Sequence, residues 1–75
     1  MKRYYFHLVH STERIIDKEG IELADDGAVA LEALQAIAEL LQEEPLDQWR
    51  EWTLEVTDDE HRVVVSFELS NFMAH

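Results

Sequence analysis

Four histidines, His7, His10, His61 and His75, are the side chains best suited to metal or proton chemistry in this sequence. His7 and His10 come nearest to a ligand pair. On an extended strand, residues three apart point to opposite faces, so the two cannot chelate together unless the chain turns between them. His61 falls in a polar turn and His75 at the terminus, and all four read as incidental surface histidines. The carboxylates are abundant, 17 in 75 residues. Acid–base work by a carboxylate pair requires a cleft that drives two pKa values apart. Asp25–Asp26, Glu43–Glu44 and Asp58–Asp59–Glu60 stand instead at helix ends and in a turn, where capping and solvation explain them.

Nucleophilic chemistry fares no better. Ser11 and Thr12 adjoin His10, but neighbours within one turn rarely form a nucleophile–base pair. Gly20 and Gly27 are the only glycines, too few for a phosphate-cradling loop. There is no cysteine, which excludes disulfides and thiolate metal sites. A domain of this size also leaves little room for a substrate pocket of ~300 Å³ or more. The residues predict no catalytic site, no cofactor, no metal and no small-molecule substrate. Trp49 and Trp52 are the largest anchors. Trp52 is expected to pack under a helix end and Trp49 to shield a loop, with one of them partly exposed for contact.

Charge narrows the partners. Six basic residues against the 17 acidic ones give a formal charge of −11. Such a surface repels nucleic-acid phosphates and anionic membranes alike. Acidity serves solubility first; its sharper use is as a decoy for a basic partner. The apolar run from Tyr4 to Val9 is too short for a signal-peptide core. Glu32, Gln35 and Glu39 interrupt Ala28 to Leu41, so that zone does not span a bilayer. A soluble, cytoplasmic protein is expected.

The elements that must position these groups follow from periodicity. "KRYYFHLV" (Lys2 to Val9) predicts a strand whose two faces are both largely apolar: Tyr4, Phe6 and Leu8 on one, Tyr5, His7 and Val9 on the other. "RIID" gives a short second strand after the polar break His10 to Glu13. Gly20 marks a turn that requires positive φ, after which Ile21 and Leu23 point inward. Asp25 and Asp26 are N-cap candidates for a helix from Asp26 to Glu44, stopped by Pro45. Its acidic side carries Glu32, Gln35, Glu39, Gln42 and Glu43. Ala30, Ala33, Leu34, Ile37, Leu40 and Leu41 lie opposite, with Leu31 and Ala38 at one flank. "WTLEVT" and "RVVVSFEL" predict a closing hairpin, with Trp52, Leu54, Val56, Val63, Val65, Phe67 and Leu69 inward.

The packing that satisfies these faces is an α+β two-layer sandwich, ββαββ, with one helix on a four-stranded antiparallel sheet. The strand order is 2-1-3-4, or 1-2-4-3. Residues 1–70 form the domain and 71–75 a tail that frays or docks through Phe72 and Met73.

The chain also resembles a family of short, uncharacterised bacterial proteins, a domain of unknown function. "RYYFHL" is similar to that family's Arg-Tyr-aromatic-Phe opening, and "DKEGIELAD" to its Asp-x-x-Gly-x-Glu-Leu-x-Asp segment. An alanine-rich acidic helix follows, and "WTLEVTDDEHRVVVSFEL" is similar to its closing hairpin. The resemblance implies a common fold and no chemistry. It also implies a glycine in the hairpin turn where this chain has His61. A left-handed backbone there would cost up to roughly 1 kcal/mol relative to glycine.

A helix covers one side of a sheet only, leaving Tyr5, His7, Val9, Thr53, Glu55, Val64, Ser66 and Glu68 on the other. The expected role is a non-enzymatic protein-interaction module. It would be homodimeric through that outer face or an edge strand, with Tyr5, His7, Val9, Trp49, Val64 and Ser66 at the contact. The alternative is an acidic decoy or antitoxin-like inhibitor of a basic nucleic-acid-binding partner.

Overall fold

A computed structural model describes residues 1–43 and 46–73. In chain order the elements are β1 (Lys2–Val9), β2 (Arg14–Ile15), β3 (Ile21–Leu23), α1 (Asp26–Leu40), β4 (Thr53–Thr57) and β5 (Val63–Glu68). Two 3₁₀ turns, Leu46–Trp49 and Leu69–Phe72, complete them.

β1 is the centre of a five-stranded antiparallel sheet. One of its edges pairs with β4 from Tyr5 to Val9. The other is shared: β2 takes Leu8 and Val9, and β3 takes Lys2 to Tyr4. The sheet therefore runs β2-β1-β4-β5, with β3 also on β1. The four expected segments lie along that path; the fifth strand, β3, corrects the expected count and with it the exact order. Ile21–Leu23 forms a strand of its own because Leu8 faces Ile15 while Tyr4 faces Ile21. Four steps along β1 thus match six along its partner, and the surplus loops out between Ile15 and Ile21.

The loop-out leaves a gap in the ladder, and a side chain fills it. The Phe6 N–H donates to Asp17 Oδ2 at 3.1 Å. Asp17 Oδ1 accepts from the N–H groups of Glu19 and Gly20 at 3.1 and 3.0 Å, closing the turn. Gly20 has φ +67°, and a Cβ there would lie 2.6 Å from the carbonyl oxygen of Tyr4. Both the backbone angle and the close approach require glycine.

Asp25 caps α1, its Oδ1 accepting from the Ala28 N–H at 3.1 Å. The helix ends at Leu40 rather than Glu44. Past it, Gln42 and Glu43 bond three residues back instead of four, which tightens the chain out of the α path. Acidic residues at the negative end of a helix dipole, with no basic residue in the last turn, favour that early end. Glu44 and Pro45, the expected stop, lie outside the described residues.

Val29, Ala33 and Ile37 are the buried helix positions, with Ala36, Leu40 and Leu41 packed against the core. Ala30 and Leu34 are exposed, contrary to their expected inward placement. The half-circumference apolar sector is wider than the sheet can cover, and the sheet takes the part centred on Ala33. Small residues there, Ala33 and Ala36, let α1 lie close to the strands.

Opposite the helix, Phe6 faces Val56 and Val65, and Leu8 faces Leu54 and Phe67, across β1, β4 and β5. These inner-face residues form or pack against the core with Tyr4, Trp49, Leu69 and Met73. Tyr4, Val56 and Leu69 have no exposed surface. Burial of each such side chain contributes ~1.5–3 kcal/mol. Met73 is buried and Phe72 packs edge-on to Phe67 at 5.8 Å, so the chain docks through these two residues. His75 lies outside the described residues.

A bulge alters β5. Val65 faces Val56 but Val63 faces Thr57, leaving Val64 as the extra residue. Val63 turns outward, 58% exposed, and Val64 packs against the core. Both expected placements, Val63 inside and Val64 outside, are reversed because an extra residue shifts the alternation. No helix among the described residues is long and apolar enough to cross a membrane.

Candidate functional site

Two surfaces stand out once the fold is assembled, and the first is the face of the sheet away from α1. β1 directs Tyr5, His7 and Val9 to it. His7 is not a surface residue: it is 9% exposed. Its Nδ1 accepts the Asp17 backbone N–H at 3.1 Å, so that nitrogen carries no proton. Nε2 is then the N–H of the ring and donates to Thr57 Oγ1 at 3.0 Å. Both nitrogens are occupied, and the imidazole fastens the Ile16–Gly20 loop to the sheet.

Asp17 carries the other half of this fastening. Burial pushes its carboxyl up, but hydrogen bonds from the Gly20, Phe6 and Glu19 N–H groups outweigh it, leaving the group below the usual carboxylate range. The carboxylate is committed to the backbone.

Around this anchor lies an open groove of about 330 Å³ lined by Tyr5, His7, Ile16, Asp17, Lys18 and His61. This exceeds the room expected of so small a domain; the looped-out segment between β2 and β3 supplies one wall. The Tyr5 and His7 rings are parallel within 5°, with centroids 6.4 Å apart. Gly20 seats the Tyr5 ring, since a Cβ there would come within 3.0 Å of its Cδ2 and Cε2. The opposite wall is His61, at φ +67°. Its turn is held by Asp58, whose carboxylate accepts from the N–H groups of Glu60 and Arg62. Those bonds, led by Arg62, hold the Asp58 carboxyl below its ordinary range against a smaller opposing effect of burial.

The second surface is the far edge of the sheet. Among the described residues nothing pairs with the outer side of β5. Glu32, Glu39 and Glu43 of α1 and its C-terminal turn line grooves shared with Phe6, Leu8 and Ile21, so this acidic flank faces β1 to β3. The opposite flank, toward β5, presents Leu31 at 63% and Leu34 at 41% exposure. Exposed Ala38 falls on the same line.

Of the residues expected at a contact surface, Tyr5, His7 and Val9 share the outer face. Ser66 is exposed there, opposite Glu55 on β4. Val64 packs against the core, and Trp49 is buried, its ring edge-on to half-buried Trp52 at 6.1 Å. The expectation missed Ile16, Lys18 and His61, because loop residues have no periodicity to show which face they meet. Their only signal was glycine at position 20 and the departure from glycine at 61. His10 pairs at the surface with Glu51, 3.2 Å away, and Ser11 and Thr12 belong to its exposed turn. Among the described residues no group of three or more His, Asp or Glu is placed to hold a metal ion.

No curated protein and no solved structure matches the chain. A domain of unknown function, DUF6894, matches residues 3–70, from the start of β1 through the β5 edge, and the chain belongs to that family.

Proposed function

We propose that this chain is a non-enzymatic protein-interaction module acting as a symmetric homodimer, joined along the open edge of β5 and the adjoining flank of α1. The carrying observation is the segregation of charge on α1. Its carboxylates gather on the flank toward β1, and Leu31, Leu34 and Ala38 stand uncharged on the flank toward β5. Two copies each bearing a formal charge of −11 repel, so close contact is favoured where carboxylates are fewest.

Geometry supports a second copy as the occupant. A two-fold axis beside β5 pairs an antiparallel edge with itself and sets the same leucines against one another at matching height. An unrelated partner would need both features at the same spacing. The bulge withdraws the start of β5, leaving Val65 to Glu68 without proline or lysine to discourage pairing. A stable interface buries ~800 Å² per partner, more than one short edge provides, and the helix flank supplies the remainder.

Sedimentation across a dilution series tests this. The expected result is a monomer–dimer equilibrium that high salt leaves intact or strengthens, and that Leu31→Glu with Leu34→Glu abolishes without loss of helicity. A chain monomeric at every concentration, or a dimer indifferent to both glutamates, overturns it. An acidic decoy would instead show a complex with a basic partner that salt dissolves steeply.

A further inference from the structure

We propose that the outer-face groove is a binding site for a small flat anion, an aryl carboxylate in chemical class. This goes beyond dimerisation and concerns the face of the sheet away from α1. The groove is about 330 Å³, within the size range of small-ligand sites. Its apolar lining is the Tyr5 ring, the His7 ring and Ile16, which fits a planar hydrophobic body.

The polar inventory selects the charge of the ligand. His7 spends both nitrogens on Asp17 and Thr57. Asp17 spends its carboxylate on Phe6, Glu19 and Gly20. What remains for a ligand is the Lys18 ammonium, the His61 imidazole and the Tyr5 hydroxyl.

Lys18 is conspicuous in so acidic a chain. All four arginines form ion pairs: Arg3 with Glu22, Arg14 with Glu55, Arg50 with Asp47, and Arg62 with Asp58 and Glu60. Lys18 and Lys2 have no such partner among the described residues, and of the two only Lys18 lines the groove. An ammonium beside an apolar slot, without a carboxylate of its own, complements a carboxylate from outside.

His61 adds an independent observation. A side chain at φ +67° is strained where glycine would not be. Strained backbone that carries a polar side chain into a groove is a mark of a functional site. Lys18 brings the slot its positive charge, and His61 adds an imidazole to its lining.

Amide chemical-shift titration of the intact chain with benzoate, benzamide and benzylamine tests the assignment. Benzoate should shift Tyr5, Ile16, Lys18 and His61 and bind about fivefold tighter than benzamide, the range of one exposed ion pair. Benzylamine should not bind. Lys18→Gln, at an exposed position, should erase the preference for benzoate while leaving the spectrum otherwise unchanged, and His61→Gly should reduce it. Equal binding of benzoate and benzamide, unaltered preference in Lys18→Gln, or shifts confined to the α1 flank would each overturn the proposal.

Discussion

The hydroxyl of Tyr4, wholly buried under the helix, donates to the Asp26 carboxylate in the first turn of α1. This bond joins the central strand to the helix start, across the two layers of the sandwich. The carboxylate it reaches, together with burial, pushes the phenol pKa up to about 12. A raised phenol stabilises the fold fully below the ordinary tyrosine range near pH ~10. That contribution is lost as pH rises from there through the folded-state value. Ultraviolet titration should show one tyrosine ionising only near pH 12, together with loss of helical circular dichroism. Tyr4→Phe should remove the late step and lower the melting temperature at neutral pH. A late step that persists in Tyr4→Phe would show that another group is responsible.

Asp17 makes the opposite prediction at low pH. Its carboxyl is depressed, so its contribution is present above the ordinary carboxylate range and falls as pH drops through the lower folded value. Asp17→Ala removes the acceptor for three backbone N–H groups. Leaving one buried donor unpaired costs about 1–3 kcal/mol. Urea unfolding at neutral pH should show a loss of that order, and the Asp17→Ala chain should have a flatter acid limb than the parent. An unchanged midpoint would mean water replaces the carboxylate at no cost.

Gly20 and His61 share a positive φ of 67°, yet substitution should act in opposite directions. Gly20→Ala brings a Cβ within 2.6 Å of a backbone carbonyl, a contact no side-chain adjustment relieves, and adds left-handed strain of ~1 kcal/mol. It should destabilise by more than that strain alone. His61→Gly removes strain and should stabilise by up to ~1 kcal/mol. Thermal melts of the two variants against the parent measure both, and a stabilising Gly20→Ala would contradict the turn geometry.

His7 gives a prediction about a proton position. With Nδ1 accepting from the Asp17 N–H and Nε2 facing Thr57 Oγ1, the ring should be the Nε2–H tautomer in ¹⁵N spectra at neutral pH. Thr57→Val leaves that N–H buried without an acceptor, a penalty of about 1–3 kcal/mol. The reverse tautomer would break the link to the loop. Since that loop walls the groove, its amide exchange should quicken in Thr57→Val.

Much of this architecture could be read from residue pattern because the determinants were local. Alternation in β1, β4 and the end of β5 named the inner face correctly through Phe6, Leu54 and Phe67. Asp25 and Gly20 were legible as cap and turn, since each acts on its own backbone. The third strand was not legible. Three residues, Ile21–Leu23, carry too little alternation, and their place on β1 depends on Asp17 bridging a gap that only pairing reveals. The bulge at Val64 was hidden for a related reason: one extra residue leaves composition unchanged while moving Val63 out and Val64 in. The groove followed from both irregularities, its walls being the looped-out Ile16–Lys18 and the strained His61.

The placement of α1 lends itself to the last comparison. Ile37 and Leu34 are a turn apart, and periodicity alone put both inward. In the structure Ile37 is 2% exposed and Leu34 41%, because the sheet is narrower than the apolar sector and meets it on the Val29–Ala33–Ile37 line. Ile37→Ala removes atoms from a packed core and should cost about 2–5 kcal/mol by urea unfolding, most of the stability of so small a domain. Leu34→Ala removes atoms already in contact with water. At dilution it should change unfolding by no more than ~0.5 kcal/mol. Its effect should appear instead as concentration rises, as a weaker stabilisation of the parent-like fold by self-association. Equal losses in the two variants at dilution would place Leu34 in the core after all and remove the apolar flank on which the dimer depends.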